Sequence, residues 1–187
     1  MAVPPGFSTI NPFIISRDVE NLILFLVDVF DGVEHPDART VDHDGLLLHA
    51  ELQIGGTTVM FGERKPGWPF TPSLLQVYVE DVDTVLQRAR AGGADVVTEP
   101  TAFFGEVFSR FVDPWNNLWW VYSTPQDDAA GGWEEAGDGA ETDAETGAET
   151  DAESGAETDA EWEPTPELTY IRDTLVATLP RLQDPAA

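Results

Sequence analysis

Apolar and polar positions change period several times along the first 126 residues, and each change marks an element. Thr9 to Ile15 reads as a strand. The run Asn21-Leu-Ile-Leu-Phe-Leu-Val-Asp-Val-Phe then has a capping residue, Asp18, in front of it and a stop, Gly32, behind it. Its apolar pattern alone suits a strand equally well; its length and flanks favour a helix. Three strands are expected next, over Val33 to Val41, Leu46 to Ile54 and Thr57 to Phe61, the last two joined by a Gly55-Gly56 hairpin turn. The pattern then restarts. Leu74 to Val79 is a strand, Asp81 caps a helix through Val82-Asp-Thr-Val-Leu-Gln-Arg-Ala-Arg-Ala, and Gly92-Gly93 stops it. Further strands are expected near Val96, from Glu106 to Val112 and from Leu118 to Ser123. Asp18-Val19 and Asp81-Val82 stand 63 residues apart at matching points. The expectation is an α+β domain over residues 1–126, built from two βαβββ modules at about 7–63 and 72–125.

Behind it the pattern is lost. The octapeptide Gly139-Ala-Glu-Thr-Asp-Ala-Glu-Thr recurs from Gly147 with Ser154 last, and from Gly155 with Trp162 last. So few apolar side chains cannot offset an ordering cost of roughly 1 to 2 kcal/mol per residue, so 127–164 is expected to be a disordered acidic linker or solubility tail. Thr165-Pro-Glu then has the form of a helix start. Leu168, Ile171, Leu175, Leu179 and Leu182 follow at spacings of 3, 4, 4 and 3, one amphipathic helix over 165–184. It is expected to dock on its own domain or on a dimer mate, with recruitment of a partner as the alternative.

Charge narrows the function. Of 35 acids, 15 lie between Asp127 and Glu163, where no Lys or Arg occurs, and residues 1–126 hold 17 acids against 7 bases. Both regions would repel a phosphate backbone, so no nucleic-acid partner is expected. With no cysteine there is neither a disulfide framework nor a thiolate metal site or nucleophile, which fits a cytoplasmic protein. No stretch approaches about 18 apolar residues, and no membrane association is expected. Neither a Gly-x-Ser-x-Gly nucleophile turn nor a phosphate-cradling glycine loop occurs.

Five segments in order resemble the glyoxalase/bleomycin-resistance (vicinal oxygen chelate) superfamily, in particular its PhnB-like branch. They are Phe25-Leu-Val-Asp-Val-Phe-Asp-Gly; Leu48-His-Ala-Glu-Leu-Gln-Ile-Gly-Gly-Thr-Thr-Val-Met-Phe; Val77-Tyr-Val-Glu-Asp-Val-Asp; Phe104-Gly-Glu; and Asp113-Pro-Trp-Asn-Asn-Leu-Trp-Trp. The resemblance runs from about Ile10 to Thr124. It implies an eight-stranded half-barrel around a cavity and a homodimer, with the modules paired within a chain or swapped between chains. It also implies where metal-dependent members would hold a divalent ion: here Asn11, Met60, Leu74 and Trp120. Met, Leu and Trp cannot supply oxygen or imidazole donors, so no metal cofactor is expected. Glu63 is a minor candidate ligand, one strand face away.

Alternation along the strands then indicates what faces the cavity. Leu74 brings Gln76 and Tyr78, Trp120 brings Leu118 and Tyr122, and Asn11 brings Phe13 and Ile15. Leu48, Ala50, Leu52 and Ile54 form an apolar face suited to a helix, leaving Leu47, His49, Glu51 and Gln53 opposite. His49 and Glu51 are the candidates for proton transfer or ligand hydrogen bonding, unless that face is simply solvated. His35 and His43 are expected to be exposed. Tyr78, Trp120 and Tyr122 either stack on a flat ligand or serve the core, and Phe103-Phe104-Gly105 is either a lip over the cavity or an ordinary turn. The expected function is metal-free binding of a small aromatic or amphipathic molecule, for resistance or sequestration. A lyase, isomerase or dioxygenase-like enzyme is the alternative.

Overall fold

The structure is a computed structural model that describes residues 3–124 and 164–185; the acidic repeats lie outside the described residues. The first module comprises β1 (Phe13–Ser16), α1 (Val19–Phe30), β2 (Val33–Glu34), β3 (Thr40–Val41), β4 (Leu47–Ile54) and β5 (Thr57–Glu63). The second comprises β6 (Leu74–Tyr78), α2 (Val82–Ala91), β7 (Asp95–Phe103), β8 (Glu106–Val112) and β9 (Leu118–Ser123), and α3 (Pro166–Thr178) follows. Each module forms one sheet, ordered β1-β5-β4-β2 and β6-β9-β8-β7, with β3 paired to β4. In both, the first strand lies parallel beside the last, Phe13 opposite Met60 and Leu74 opposite Leu118. That pairing needs a crossover, which α1 and α2 supply.

The two helices differ because their surroundings do. On α2 the buried residues Val82, Val85, Leu86 and Ala89 make one stripe at helical spacing. On α1 burial extends over Val19, Leu22, Ile23, Phe25, Leu26 and Val29, a wider arc. The helix is apolar on two sides because it packs on two sheets. Phe25 lies edge-on to Phe111 and Trp115, and Phe30 reaches Phe111 and Trp119 of the other module. A single core therefore joins Ile14, Ala50, Leu52 and Phe61 of the first sheet to Phe111, Trp119 and Val121 of the second, with the helices between. Since the helix-side faces meet there, the opposite faces of the two sheets point outward.

Several local expectations change. The expected strand over Val33 to Val41 is interrupted by a short 3₁₀ turn over Pro36–Ala38, because proline cannot donate to the ladder. The first strand begins at Phe13, not Thr9. Asp81 caps α2 as expected, accepting from the Asp83 and Thr84 amides. Asp18 does not cap α1. It is left-handed, at φ 54°, and its carboxylate accepts from the Asn21 side chain. The α1 amides are capped from β5 instead, by Glu63, which accepts from Asp18 N at 2.8 Å and Val19 N at 3.0 Å. Glu63 is thus held by helix capping, not poised toward a metal. At its other end α1 turns through left-handed Asp31 before Gly32, where an added Cβ would lie 3.1 Å from Leu52. On β4, Ala50 and Leu52 are buried as expected, but Leu48 is half exposed and Leu47 buried, where the β3 pairing shifts register.

The C-terminal helix is present and shorter than expected. Thr165 caps it, accepting from Leu168 N at 3.2 Å, and a 3₁₀ turn at Leu179–Arg181 containing Pro180 ends it. It docks on its own chain. Thr174 bonds Thr98 of β7 at 2.8 Å, and the Tyr170 hydroxyl accepts from Glu99 N at 3.0 Å. Because Thr98 is paired with Arg110 of β8, α3 covers the outward face of the second sheet, opposite α2.

Candidate functional site

The positions singled out from the sequence divide between two outward faces. On the first sheet, Phe13, Met60 and Glu51 are register partners, and His49 follows two residues from Glu51. His49 Nε2 lies 3.0 Å from Glu51 Oε1, and the Phe13 ring centroid is 6.0 Å from the imidazole. Both polar side chains are partly exposed. If Nε2 donates to the carboxylate, Nδ1 remains an acceptor able to take a proton. Asn11 stands before β1 and closes both ends of its amide on Ser8, accepting from Ser8 N and donating to Ser8 O. It braces a turn. His35 and His43 are exposed, as expected.

On the second sheet, Leu74, Gln76 and Tyr78 of β6 lie opposite Leu118, Trp120 and Tyr122 of β9. β8 adds Phe108 beside Tyr122 and Arg110 beside Trp120. The rings form a connected cluster. Tyr78 stacks on Tyr122 at 5.4 Å, Phe108 lies 4.9 Å from Tyr122 and 5.9 Å from Trp120, and Phe103 is 5.8 Å from Phe108. Leu74, Gln76 and Tyr78 are exposed, and Gln76 Nε2 donates to the Tyr78 hydroxyl at 3.1 Å. Half of the cluster is thus open at β6 and half is covered by α3, whose Ile171 packs on Phe108 and Tyr122.

Arg110 was not anticipated from the sequence. It is fully buried, with its guanidinium carbon 4.9 Å from the Phe108 ring centroid and 5.0 Å from that of Trp120. Burial pushes this group down to about 10, leaving it charged at neutral pH. A signal for it was available: an arginine inside the apolar strand Val107-Phe-Ser-Arg-Phe-Val, on the same face as Phe108. Asp113, at the start of the β8–β9 turn, is also buried. It accepts from the amides of Trp115 and Asn117, the Asn117 side chain and Trp119 Nε1, so its role is to hold the turn. Burial raises its carboxyl above the usual range.

Phe104 and Gly105 both have positive φ, 46° and 82°, so the β7–β8 hairpin closes in a tight turn with Phe104 at its tip, 88% exposed. Between this tip and the start of α3 lies a cavity of about 410 Å³ bounded by Phe103, Phe104, Thr165 and Leu168.

As metal ligands these residues do not fit. Met60, Leu74 and Trp120 offer no hard donor, and the Asn11 amide is engaged at both ends by Ser8. Among the described residues no three His, Asp or Glu side chains gather closely enough to hold an ion. No helix among them is long and apolar enough to cross a membrane.

Comparisons with known proteins agree with this architecture. The uncharacterized protein Rv0887c of Mycobacterium tuberculosis (strain H37Rv) is 34% identical over 122 residues, covering 59% of this chain and 71% of its own length. A crystal structure of a glyoxalase/bleomycin resistance protein/dioxygenase family enzyme from Burkholderia phytofirmans superposes with TM-score 0.50 at 20% identity, over 62% of this chain and 97% of its own. The PhnB protein of Bacillus cereus does so with TM-score 0.51 at 19% identity, over 63% of this chain and 100% of its own. These two likenesses concern the fold. The family model of the Glyoxalase/Bleomycin resistance protein/Dioxygenase superfamily matches residues 9–121, and with the duplicated βαβββ topology in place the chain belongs to that superfamily.

Proposed function

We propose that this protein binds a small aromatic or amphipathic molecule on the outward face of its second sheet without a metal, as a resistance or sequestration protein of a PhnB-like branch. The observation that carries this reading is the ring cluster of Phe103, Phe108, Trp120, Tyr122 and Tyr78, open to solvent at β6. Rings fixed by their own packing offer flat apolar area at little entropic cost, and Gln76 and Tyr78 supply polar orientation. The absence of hard donors at the positions implied for a metal supports metal-free binding. A cytoplasmic homodimer, with the outward face of one chain's second sheet opposed to the first sheet of its mate, would close a cavity between them.

The test is a titration of full-length protein with planar aromatics and glycopeptides, followed by tryptophan fluorescence and thermal shift, beside elemental analysis. Saturable binding to metal-free protein is expected. Stoichiometric Zn, Ni, Fe or Mn in the purified protein would overturn the metal-free reading.

The His49–Glu51 contact of 3.0 Å favours one second reading, a lyase or isomerase that uses the pair as base and acid. Turnover lost in His49→Gln and in Glu51→Gln, with binding retained, would support it over binding alone.

A further inference from the structure

Arg110 carries a charge into the covered half of the ring cluster and does not use all its donors there. Nη2 donates to the backbone carbonyl of Ile171 in α3. Nε and Nη1 are buried and find no acceptor among the described residues, and neither does Trp120 Nε1 beside them. Buried donors are ordinarily satisfied, and three unmet donors around one cation are costly to keep. A single helix carbonyl, itself shared with Thr174 Oγ1 at 3.1 Å, is a weak partner for a guanidinium fork whose geometry matches two oxygens of a carboxylate.

The covering helix is also held more by polar contacts than by apolar burial. Ile171 and Thr178 are its buried residues; hydroxyl hydrogen bonds tie it at Thr98 and Glu99, and beyond its end the chain is held by the exposed ion pair of Arg181 with Asp95 at 3.0 Å, by Asn116 Nδ2 donating to Gln183 O at 2.6 Å and by Arg64 with Asp184 at 2.7 Å. An attachment built mainly from polar contacts over two buried residues of the helix is of the kind that opens locally.

We propose that Arg110 and Trp120 are the recognition group for the carboxylate of a planar aromatic acid, and that α3 is its intramolecular competitor. The ring of such an acid takes the Tyr78–Tyr122–Phe108 surface, the Ile171 carbonyl leaves Arg110 Nη2, and the carboxylate takes Nη2 together with an adjoining donor, Nε or Nη1, with Trp120 Nε1 beside it. This deepens the binding function proposed above and rests on it.

The experiment is calorimetric titration of full-length protein with 2-naphthoate and with its neutral isostere 2-naphthamide. The acid is expected to bind at least about tenfold more tightly, as a charge-assisted pair replaces a neutral contact. Weakening α3 by Ile171→Gly, or more mildly by Tyr170→Phe, should tighten naphthoate binding several-fold. Arg110→Met should erase the preference for the acid in either background, and Trp120→Phe should reduce it. Equal affinities for the two compounds, or a preference that survives Arg110→Met, would overturn the assignment of the carboxylate site. Affinity unchanged in both α3 variants would overturn the competition. Failure of both compounds to bind, in the α3 variants too, would remove the underlying binding function; binding of the amide as tight as the acid removes the carboxylate site alone.

Discussion

The two modules share a topology and differ on the side that topology does not constrain. Their helix-side faces are alike: Phe61 and Phe111, one from each sheet, are fully buried in the same core. Their outward faces have diverged. The first presents a partly exposed His49–Glu51 pair beside Phe13 and Met60, and no helix among the described residues covers it. The second presents five aromatic rings around a buried arginine, half covered by α3. Duplication thus supplied two equivalent scaffolds, and chemistry was free to separate wherever packing against α1 and α2 did not dictate the residue.

If the core is symmetric, Phe61→Ala and Phe111→Ala should each destabilise by about 3–5 kcal/mol in urea unfolding, in one cooperative transition. Two transitions, with each variant moving one, would show that the modules fold separately. The hairpin turns should break the symmetry. The β8–β9 turn hangs on Asp113, whereas the β4–β5 turn is a solvent-exposed Gly55-Gly56. Asp113→Ala leaves Trp119 Nε1 and two amides without their acceptor and should cost about 3 kcal/mol, whereas Gly56→Ala should change stability by less than about 1 kcal/mol.

The smallest effect belongs to the first module. Lys65, in the connector, pairs with Asp42 and, at 2.8 Å, with Asp44, and its ammonium holds both carboxyls below the usual carboxylate range. Unfolding would release them to about the ordinary value, 3.8. Between the folded and unfolded values the unfolded chain binds more protons, so this contribution is present above about pH 4 and disappears as the pH falls below it. The urea midpoints of wild type and Lys65→Met should therefore differ slightly at pH 6, and the gap should narrow steadily as the pH falls from about 4 toward about 2. The pairs are partly open to solvent, and added salt should shrink the difference too.

The duplicated fold was legible because it is written in short-range signals: the two Asp-Val anchors, the change from period 2 to period 3.6, and Gly55-Gly56. What was not legible depends on residues that meet only after folding. Asp18 and Asp81 look equivalent in the chain, yet Asp81 caps its helix and Asp18 yields to Glu63, brought from β5 by the parallel pairing of Ser16 with Glu63. On α3 the leucine spacing indicates a helix but not its seat: Leu179 is 42% exposed, while Thr178, not among the expected positions, is buried. The positions implied for a metal belong to the first and last strands of each module. Arg110 lies on the third, and nothing in the local pattern shows that a helix from beyond the acidic repeats covers it. Nor does alternation along one strand say that the two sets of cavity-facing residues point away from each other within a chain.

The central claim is that the second outward face, and not the first, takes the ligand. Tyr78 is 60% exposed and His49 partly so, so each can be replaced with little effect on folding. Calorimetric titration of a planar aromatic ligand into wild type, Tyr78→Ala and His49→Ala decides it. The account predicts affinity lowered about tenfold in Tyr78→Ala, the loss of one stacking ring, and unchanged in His49→Ala. Affinity lost in His49→Ala and kept in Tyr78→Ala would contradict it.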